Sequence, residues 1–364
     1  MNQQDSVELL RNMLEIYSPS GEEEKLASFL AESMKKLGFR HVRTDEAGNI
    51  YGEVGSGSPA ILLCGHMDTV PGRLAVRAEN GRVYGRGAVD AKASLAAMIS
   101  AAYNLQSIIR NGKVIVAGVV EEEQKSKGIR QLKREGLKVD YAIFGEPSGV
   151  RNITFAYKGK VDLRVTCKTA SGHVGAQHLL DNAIEKAYEL WDRLKNSCEG
   201  SRLNRGVFYS LTASLIGIKS RRSSGGIPDV CVLDVDLRLP PKVKSDAAIK
   251  LTKKIAKDFQ AANLGTSVSL KVVDSVEPFV SDRSSRLMKA LEKAILEVTG
   301  GPAKFLRKTG TGDMNIFGAE TGIPVATYGP GDAHLSHTKN EWVELSEYNA
   351  SIRVYERAVE NIMS

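Results

Sequence analysis

His66 and Asp68 stand two residues apart just beyond the apolar run Ile61-Leu62-Leu63-Cys64. That puts an imidazole at the carboxyl end of a strand, where α/β sheets usually build their sites. Asp68 can orient the ring as a supporting carboxylate, although a lone histidine at a strand end also serves purely structural ends. Further on, Gly85-Arg86-Gly87-Ala88-Val89-Asp90-Ala91-Lys92 sets a carboxylate in a glycine-flanked turn before a helix. Asp90 reads either as the N-cap of that helix or as a metal ligand whose two oxygens bridge two cations. The triplet Glu121-Glu122-Glu123 follows the apolar run that ends at Val120. Three adjacent carboxylates repel one another, so they form either a solvated acidic tip or a partly buried group compensated by cations. In the second case one acid ligates a metal while its neighbour stays free as a general base.

Glu146, in Gly145-Glu146-Pro147, again follows an apolar run, and His337 opens His337-Thr338-Lys339-Asn340-Glu341 just after the turn Gly329-Pro330-Gly331. Each signal alone is weak. Together His66, Asp90, Glu123, Glu146 and His337 supply two imidazoles and three carboxylates, a donor set that suits two zinc ions with one acid bridging. Cobalt or manganese can occupy the same nitrogen and oxygen ligands.

The elements that must position these residues alternate. Residues 6 to 38 show helical periodicity interrupted by Ser18-Pro19-Ser20-Gly21, with Ser20 and Glu23 spaced as a capping box for a second helix closed by Gly38. Apolar runs at 61–64, 114–120 and 141–144 predict strands, with a helix from about Ala93 to Ile109 between the first two, which gives an α/β sheet. From about Lys158 the rhythm changes. A strand around Val161 to Val165, a helix over 179–194, strands near 207–218 and 230–239, a helix over 246–261 and a strand near 267–273 make a βαββαβ set, a ferredoxin-like α+β unit. A helix over 284–298, a strand over 324–328 and a helix over 345–362 then resume the first pattern. The expected organisation is therefore a discontinuous α/β domain, 1–157 plus 271–364, split by an insertion over 158–270.

Bulk properties agree with a globular chain. At 364 residues it exceeds the size at which one core usually stops growing, and 42% hydrophobic with 26% charged residues gives no sign of disorder or fibre. No basic leader with an apolar core opens the sequence, and no apolar run approaches the roughly 18 residues of a membrane span, so a cytoplasmic protein without membrane insertion is expected. Cys64, Cys167, Cys198 and Cys231 share no short spacing, which predicts neither a disulfide framework nor a thiolate zinc site. The net charge of +7 fits a solvated basic surface or an acidic partner. Nucleic acid is not expected, because no recognisable nucleic-acid motif accompanies the charge.

In combination and order, Gly65-His66-Met67-Asp68-Thr69-Val70-Pro71, Gly85 to Lys92, the acidic triplet ahead of Gly128, Gly145-Glu146-Pro147 and His337-x-x-Asn340-Glu341 are specific. Over essentially its whole length the chain resembles the co-catalytic zinc aminoacylases and carboxypeptidases, which include acetylornithine deacetylase, succinyl-diaminopimelate desuccinylase and carboxypeptidase G. The resemblance implies a mixed-sheet dizinc catalytic domain with an inserted lid and dimerisation domain, and hence a homodimer. It implies that His66, Asp90 and Glu146 hold one or both metals with Asp90 bridging, that Glu123 and His337 complete the second, and that Glu122 is the general base supported by Asp68. A register shift of one within the triplet would make Glu121 the base and Glu122 the ligand. Ser171-Gly172-His173-Val174-Gly175 resembles the family's lid histidine, which makes His173 a stabiliser of the tetrahedral oxyanion. Ile227-Pro228-Asp229 and Asp236-Leu237-Arg238-Leu239-Pro240 match the lid segment, and Arg238 is its candidate substrate contact. Gly226 departs from the pattern there, standing where an asparagine is common.

The loop Gly310-Thr311-Gly312-Asp313-Met314-Asn315 replaces the more usual Gly-Thr-Asp and offers Gly312 and Asp313 as substrate contacts. Together with Ser126-Lys127-Gly128 it makes the pattern most similar to the lysine-releasing hydrolases of carrier-protein lysine and ornithine biosynthesis. The resemblance therefore implies as substrate a small acidic carrier holding the amino acid on its terminal γ-glutamyl carboxyl. Basic residues in the expected lid loops (Arg202, Arg205, Lys219, Arg221, Arg222) suit an acidic partner, or serve solubility alone. A small-molecule deacylase such as acetylornithine deacetylase is the alternative, and an aminopeptidase acting on short peptides is a further one.

Overall fold

Strands buried on both faces read as continuous apolar runs. In the computed structural model, which describes residues 1–176, 178–199, 206–221 and 226–364, such runs become the centre of a mixed sheet. From one edge its order is Arg40–Thr44, Ile50–Ser56, Gly112–Val119, Ala60–His66, Tyr141–Gly145, Val325–Tyr328 and Asn152–Tyr157. The strands Gly112–Val119, Ala60–His66, Tyr141–Gly145 and Val325–Tyr328 run parallel, and antiparallel strands flank them on either side.

The chain divides into two compact units. Residues 1–155, 281–307 and 312–364 form the one that holds this sheet. Within it the helix Lys92–Leu105 is buried along nearly its whole length and packs against the helices Gln3–Glu15 and Leu345–Met363. Its first residue carries the one charge in that surface. Lys92 donates to the carbonyls of Met13 (3.0 Å) and Ile16 (2.7 Å), satisfying acceptors left open at the end of the helix Gln3–Glu15. A small sheet of Arg77–Glu79, Arg82–Tyr84 and Trp342–Glu344 completes the unit.

The second unit comprises residues 156–280 and 308–311. Its four antiparallel strands lie in the order Thr212–Arg221, Val230–Leu239, Gly159–Lys168 and Ser267–Val276. Alternate residues Val161, Leu163 and Val165 meet Leu233, Val235 and Leu237 in one core with Leu190, Trp191 and Phe259 from the helices Ala183–Glu199 and Ser245–Ala262. This is the βαββαβ order read from the sequence. The first helix starts at Ala183 rather than Leu179, because Asn182 forms a turn whose side chain accepts the Ile184 N–H. Residues 207–209 are a 3-10 turn, and the following strand begins only at Thr212.

Candidate active site

Parallel register gathers the candidate residues at one rim. His66 ends its strand opposite Val119, and Gly65 lies opposite Gly145, so the chain leaving each neighbouring strand carries Glu121 to Glu123 and Glu146 to the same edge. His66 Nδ1 lies 2.9 Å from the Asp68 backbone carbonyl, which turns Nε2 toward Asp90 Oδ1 at 3.2 Å and Glu146 Oε1 at 3.7 Å. Burial pulls the His66 imidazole down, but the Asp68 and Asp90 carboxylates outweigh it and hold it well above its usual range.

Asp90 reaches a second imidazole with its other oxygen. His337 Nε2 is 3.3 Å from Asp90 Oδ2 and 2.9 Å from Glu123 Oε1. Those two carboxylates push His337 up to about 10. Burial would raise the Asp90 carboxyl, yet the flanking imidazoles hold it well below the usual carboxylate range. Asp90 is not the N-cap of the following helix, since that position falls to Ala91.

Two donor groups, His66 with Glu122 and Glu146, and His66 with Asp90 and Glu123, each have ligand atoms within 4.8 Å of one another. Desolvation of the partly buried Glu122 carboxyl, reinforced by Glu146, pushes it well above the usual range. So many acids around two imidazoles leave an excess of negative charge that divalent cations neutralise, and the hard oxygen and imidazole donors fit zinc, cobalt or manganese. Glu121, by contrast, has its carboxylate 3.7 Å from Lys127 Nζ, outside both groups.

Buried carboxylates hold the turns that carry these donors. Asp68 Oδ1 accepts the Glu122 N–H at 3.0 Å, and Oδ2 accepts the Glu123 N–H at 3.1 Å and the Ser20 hydroxyl at 2.6 Å. Glu23 Oε1 accepts the N–H of Glu121 at 3.0 Å. Three successive amides of the triplet are thereby fixed, although Glu121 sits at φ 54, a left-handed conformation costly for a side-chain-bearing residue. Ser20 and Glu23 thus do not form the expected capping box. Helix Glu24–Lys36 has no side-chain cap, because both side chains are engaged by the site instead.

Glu341 does the same for the Asp90 turn. Its Oε1 accepts the N–H groups of Gly87 (3.0 Å), Val89 (2.9 Å) and Asp90 (3.0 Å), and its Oε2 accepts from Arg86 Nη1 at 2.9 Å. Arg86 also donates to the carbonyls of Gly72 and Thr338. Sequence reading gave Glu23 only a helix-capping role and Glu341 no role of its own. The available signals were charge inside tight loops and, for Glu341, its membership of the closing motif.

The remaining candidates are distributed. Asp313 belongs to the first unit as the first residue of the helix Asp313–Thr321, where burial, opposed by His66 and supported by Glu146, raises its carboxyl to about 8. Gly312 precedes it and donates its N–H to Asn315 Oδ1 at 3.1 Å. His173 and Arg238 lie in the second unit. His173 is exposed and its Nδ1 accepts the Gly175 N–H at 3.1 Å, while Arg238 Nε donates to Asp236 Oδ1 at 2.8 Å. Lys219 and Arg221 are exposed, and Arg202, Arg205 and Arg222 lie outside the described residues. The four cysteines are buried and joined by no disulfide, and among the described residues no helix is long and apolar enough to cross a membrane.

A parallel-centred sheet whose strand ends carry His66 and several acids, met by His337 from a loop, defines a metal-dependent hydrolase. The chain belongs to Peptidase family M20/M25/M40, whose model matches residues 62–361. A protein of Pyrococcus furiosus named putative LysW-lysine/LysW-ornithine hydrolase is 34% identical over 99% of this chain and 98% of its own length. A LysW-lysine hydrolase of Deinococcus radiodurans is 34% identical, covering 98% of this chain and 96% of its own. Among solved structures, a tripeptidase of Staphylococcus aureus shares the fold with a TM-score of 0.85 at 21% identity, covering 100% of this chain and 99% of that one.

Proposed function

We propose that the protein releases lysine, ornithine or both from the γ-glutamyl terminus of a small acidic carrier protein by hydrolysing the amide at the amino acid's amino group. The full-length similarity to the named lysine and ornithine hydrolases carries the substrate reading. The clustered donors carry the chemistry. His66, Asp90, Glu123, Glu146 and His337 would hold two zinc ions, with cobalt as a substitute; Asp90 turns one oxygen to each imidazole. Such ions, when bound, supply Lewis acidity toward the carbonyl and lower the pKa of water.

Glu122 is the general base. It takes a proton from the attacking water, whose oxygen bonds to the amide carbon. As the C–N bond breaks, Glu122 returns that proton to the departing amine, and the water's second proton passes from the new carboxyl to the amine, leaving a carboxylate on the carrier and an amino acid with its amino group protonated. The place of Glu122 in one donor group with His66 and Glu146 puts it beside the metals it would serve. His173 stabilises the oxyanion from a lid, and Arg238, Gly312 and Asp313 contact substrate. The unit of residues 1–155, 281–307 and 312–364 acts as the catalytic domain, and that of 156–280 with 308–311 as a lid through which a homodimer forms in the cytoplasm. The excess of basic residues would speed capture of an acidic carrier.

The test is amino-acid release by the zinc-loaded protein from carrier-linked lysine, N-acetylornithine and a tripeptide side by side, with Glu122→Gln as control. Faster, salt-sensitive cleavage of the carrier supports the proposal. Cleavage confined to the acetyl compound or the peptide replaces it with a deacylase or a peptidase.

A further inference from the structure

We propose that Glu341 is a positioning residue, a buried acid that locks the Asp90 turn to the loop bearing His337 and thereby sets how tightly the site binds metal. This rests on reading Asp90 and His337 as ligands. The geometry is specific. One oxygen of a side chain only 1% exposed collects three N–H groups from a single turn, those of Gly87, Val89 and Asp90, all at 2.9 to 3.0 Å. Convergent amides of this kind form a concave anion site, and a carboxylate satisfies it better than a neutral acceptor does. The other oxygen pairs with Arg86, itself 7% exposed, at 2.9 Å.

Both ends of the connection are fixed. The Glu341 carbonyl accepts the Gly85 N–H at 3.2 Å, just before Trp342 pairs with Tyr84, so its backbone is in register with the start of the turn. Arg86 Nη1 also donates to the carbonyl of Thr338 at 3.0 Å, next to His337. The Arg86–Glu341 pair therefore ties together the residues that deliver Asp90 and His337, whose side chains meet at 3.3 Å. A shift of this turn would move the Asp90 oxygens away from both imidazoles. Supporting groups that orient metal ligands typically change affinity by about 10- to 100-fold when lost.

The experiment is titration of metal-free protein with Zn2+ by calorimetry and with Co2+ by visible absorption, alongside thermal unfolding of the metal-free form, for wild type and Glu341→Gln. Expected are affinity lower by roughly 10- to 100-fold and an altered Co2+ spectrum in Glu341→Gln, recorded below its unfolding temperature. Wild-type affinity and spectrum in a folded but less stable variant would reduce Glu341 to a structural role and overturn the proposal. If Glu341→Gln does not fold, Arg86→Lys decides, since it keeps the charge but loses the guanidinium fork. A weaker shift of the same kind supports the proposal, and unchanged binding overturns it. Absence of metal binding by the wild type would sink the ligand reading itself, a result distinct from either.

Discussion

Asp68 accepts the backbone N–H of Glu123 on one carboxylate oxygen at 3.1 Å, and the adjacent amide, that of Glu122, on the other at 3.0 Å. The acid two residues after His66 thus holds the turn carrying Glu122 and Glu123, the proposed base and ligand, besides lying 3.5 Å from the His66 ring nitrogen. Asp68→Ala is expected to lower kcat by about 10- to 100-fold, and Asp68→Asn, which keeps one acceptor oxygen, by less. Steady-state kinetics with metal analysis checks this. Wild-type turnover in Asp68→Ala would mean that the turn holds itself.

Glu122 and Glu123 should separate by phenotype. Glu122→Gln is expected to keep both metals and lose at least about 100-fold in kcat, the range that general-base removal gives. Glu123→Gln, losing the carboxylate that meets His337 at 2.9 Å, should bind the second metal weakly. Glu121→Gln should stay near wild type, because that side chain faces Lys127. Inactivity in Glu121→Gln with full activity in Glu122→Gln would instead fit the base and ligand one residue earlier.

The sequence was most legible where one residue type has few uses. Acids and imidazoles directly after apolar runs pointed to strand ends, and parallel register does bring those ends together. The order of helices and strands in the inserted unit was legible for the same reason, since burial periodicity is local, whereas the strands Arg40–Thr44 and Ile50–Ser56 and the helices Lys127–Arg134 and Asp313–Thr321 were not read. Long-range carboxylate-to-amide bonds were not. The Ser20 and Glu23 spacing matches a capping box, and nothing local reveals that Asp68 and the Glu121 amide compete for the same side chains. Glu341 lies 251 residues from the Asp90 amide it accepts, beyond the reach of any pattern in one sequence. Gly128 is an intermediate case. It closes the stretch that follows the triplet, but its necessity is visible only in three dimensions, where an added Cβ would lie 2.5 Å from the Val120 backbone nitrogen.

Metal binding should release protons. In the metal-free site His337 is held at about 10 by Asp90 and Glu123, so at neutral pH it carries a proton that ligation must displace. Apparent affinity therefore rises with pH up to about 10, by at most roughly one logarithmic unit per pH unit for each proton displaced. Calorimetry at pH ~7 in two buffers of different ionisation enthalpy measures the release. Identical heats in both buffers would show that the imidazole is already neutral or takes no part.

Lys92 offers a pH test of stability independent of substrate. It is 1% exposed, and burial lowers its ammonium from 10.5 to about 7, against the opposing attraction of Glu341 and Asp68. Between pH 7 and 10.5 the unfolded chain therefore holds a proton that the native state has released. Because stability rises with pH wherever the unfolded state binds more protons, wild type should gain on Lys92→Met across this window, by up to about 1.4 kcal/mol per pH unit. Below pH 7 both states are protonated and the difference should flatten. Denaturant unfolding of the metal-free proteins from pH 6 to 10 gives the difference curve, with the metal omitted so that ligand protonation does not add its own slope. Parallel curves would mean that the carbonyls of Met13 and Ile16 solvate the ammonium well enough to keep it charged, and Lys92 would then be a permanent cation at the end of the helix Gln3–Glu15.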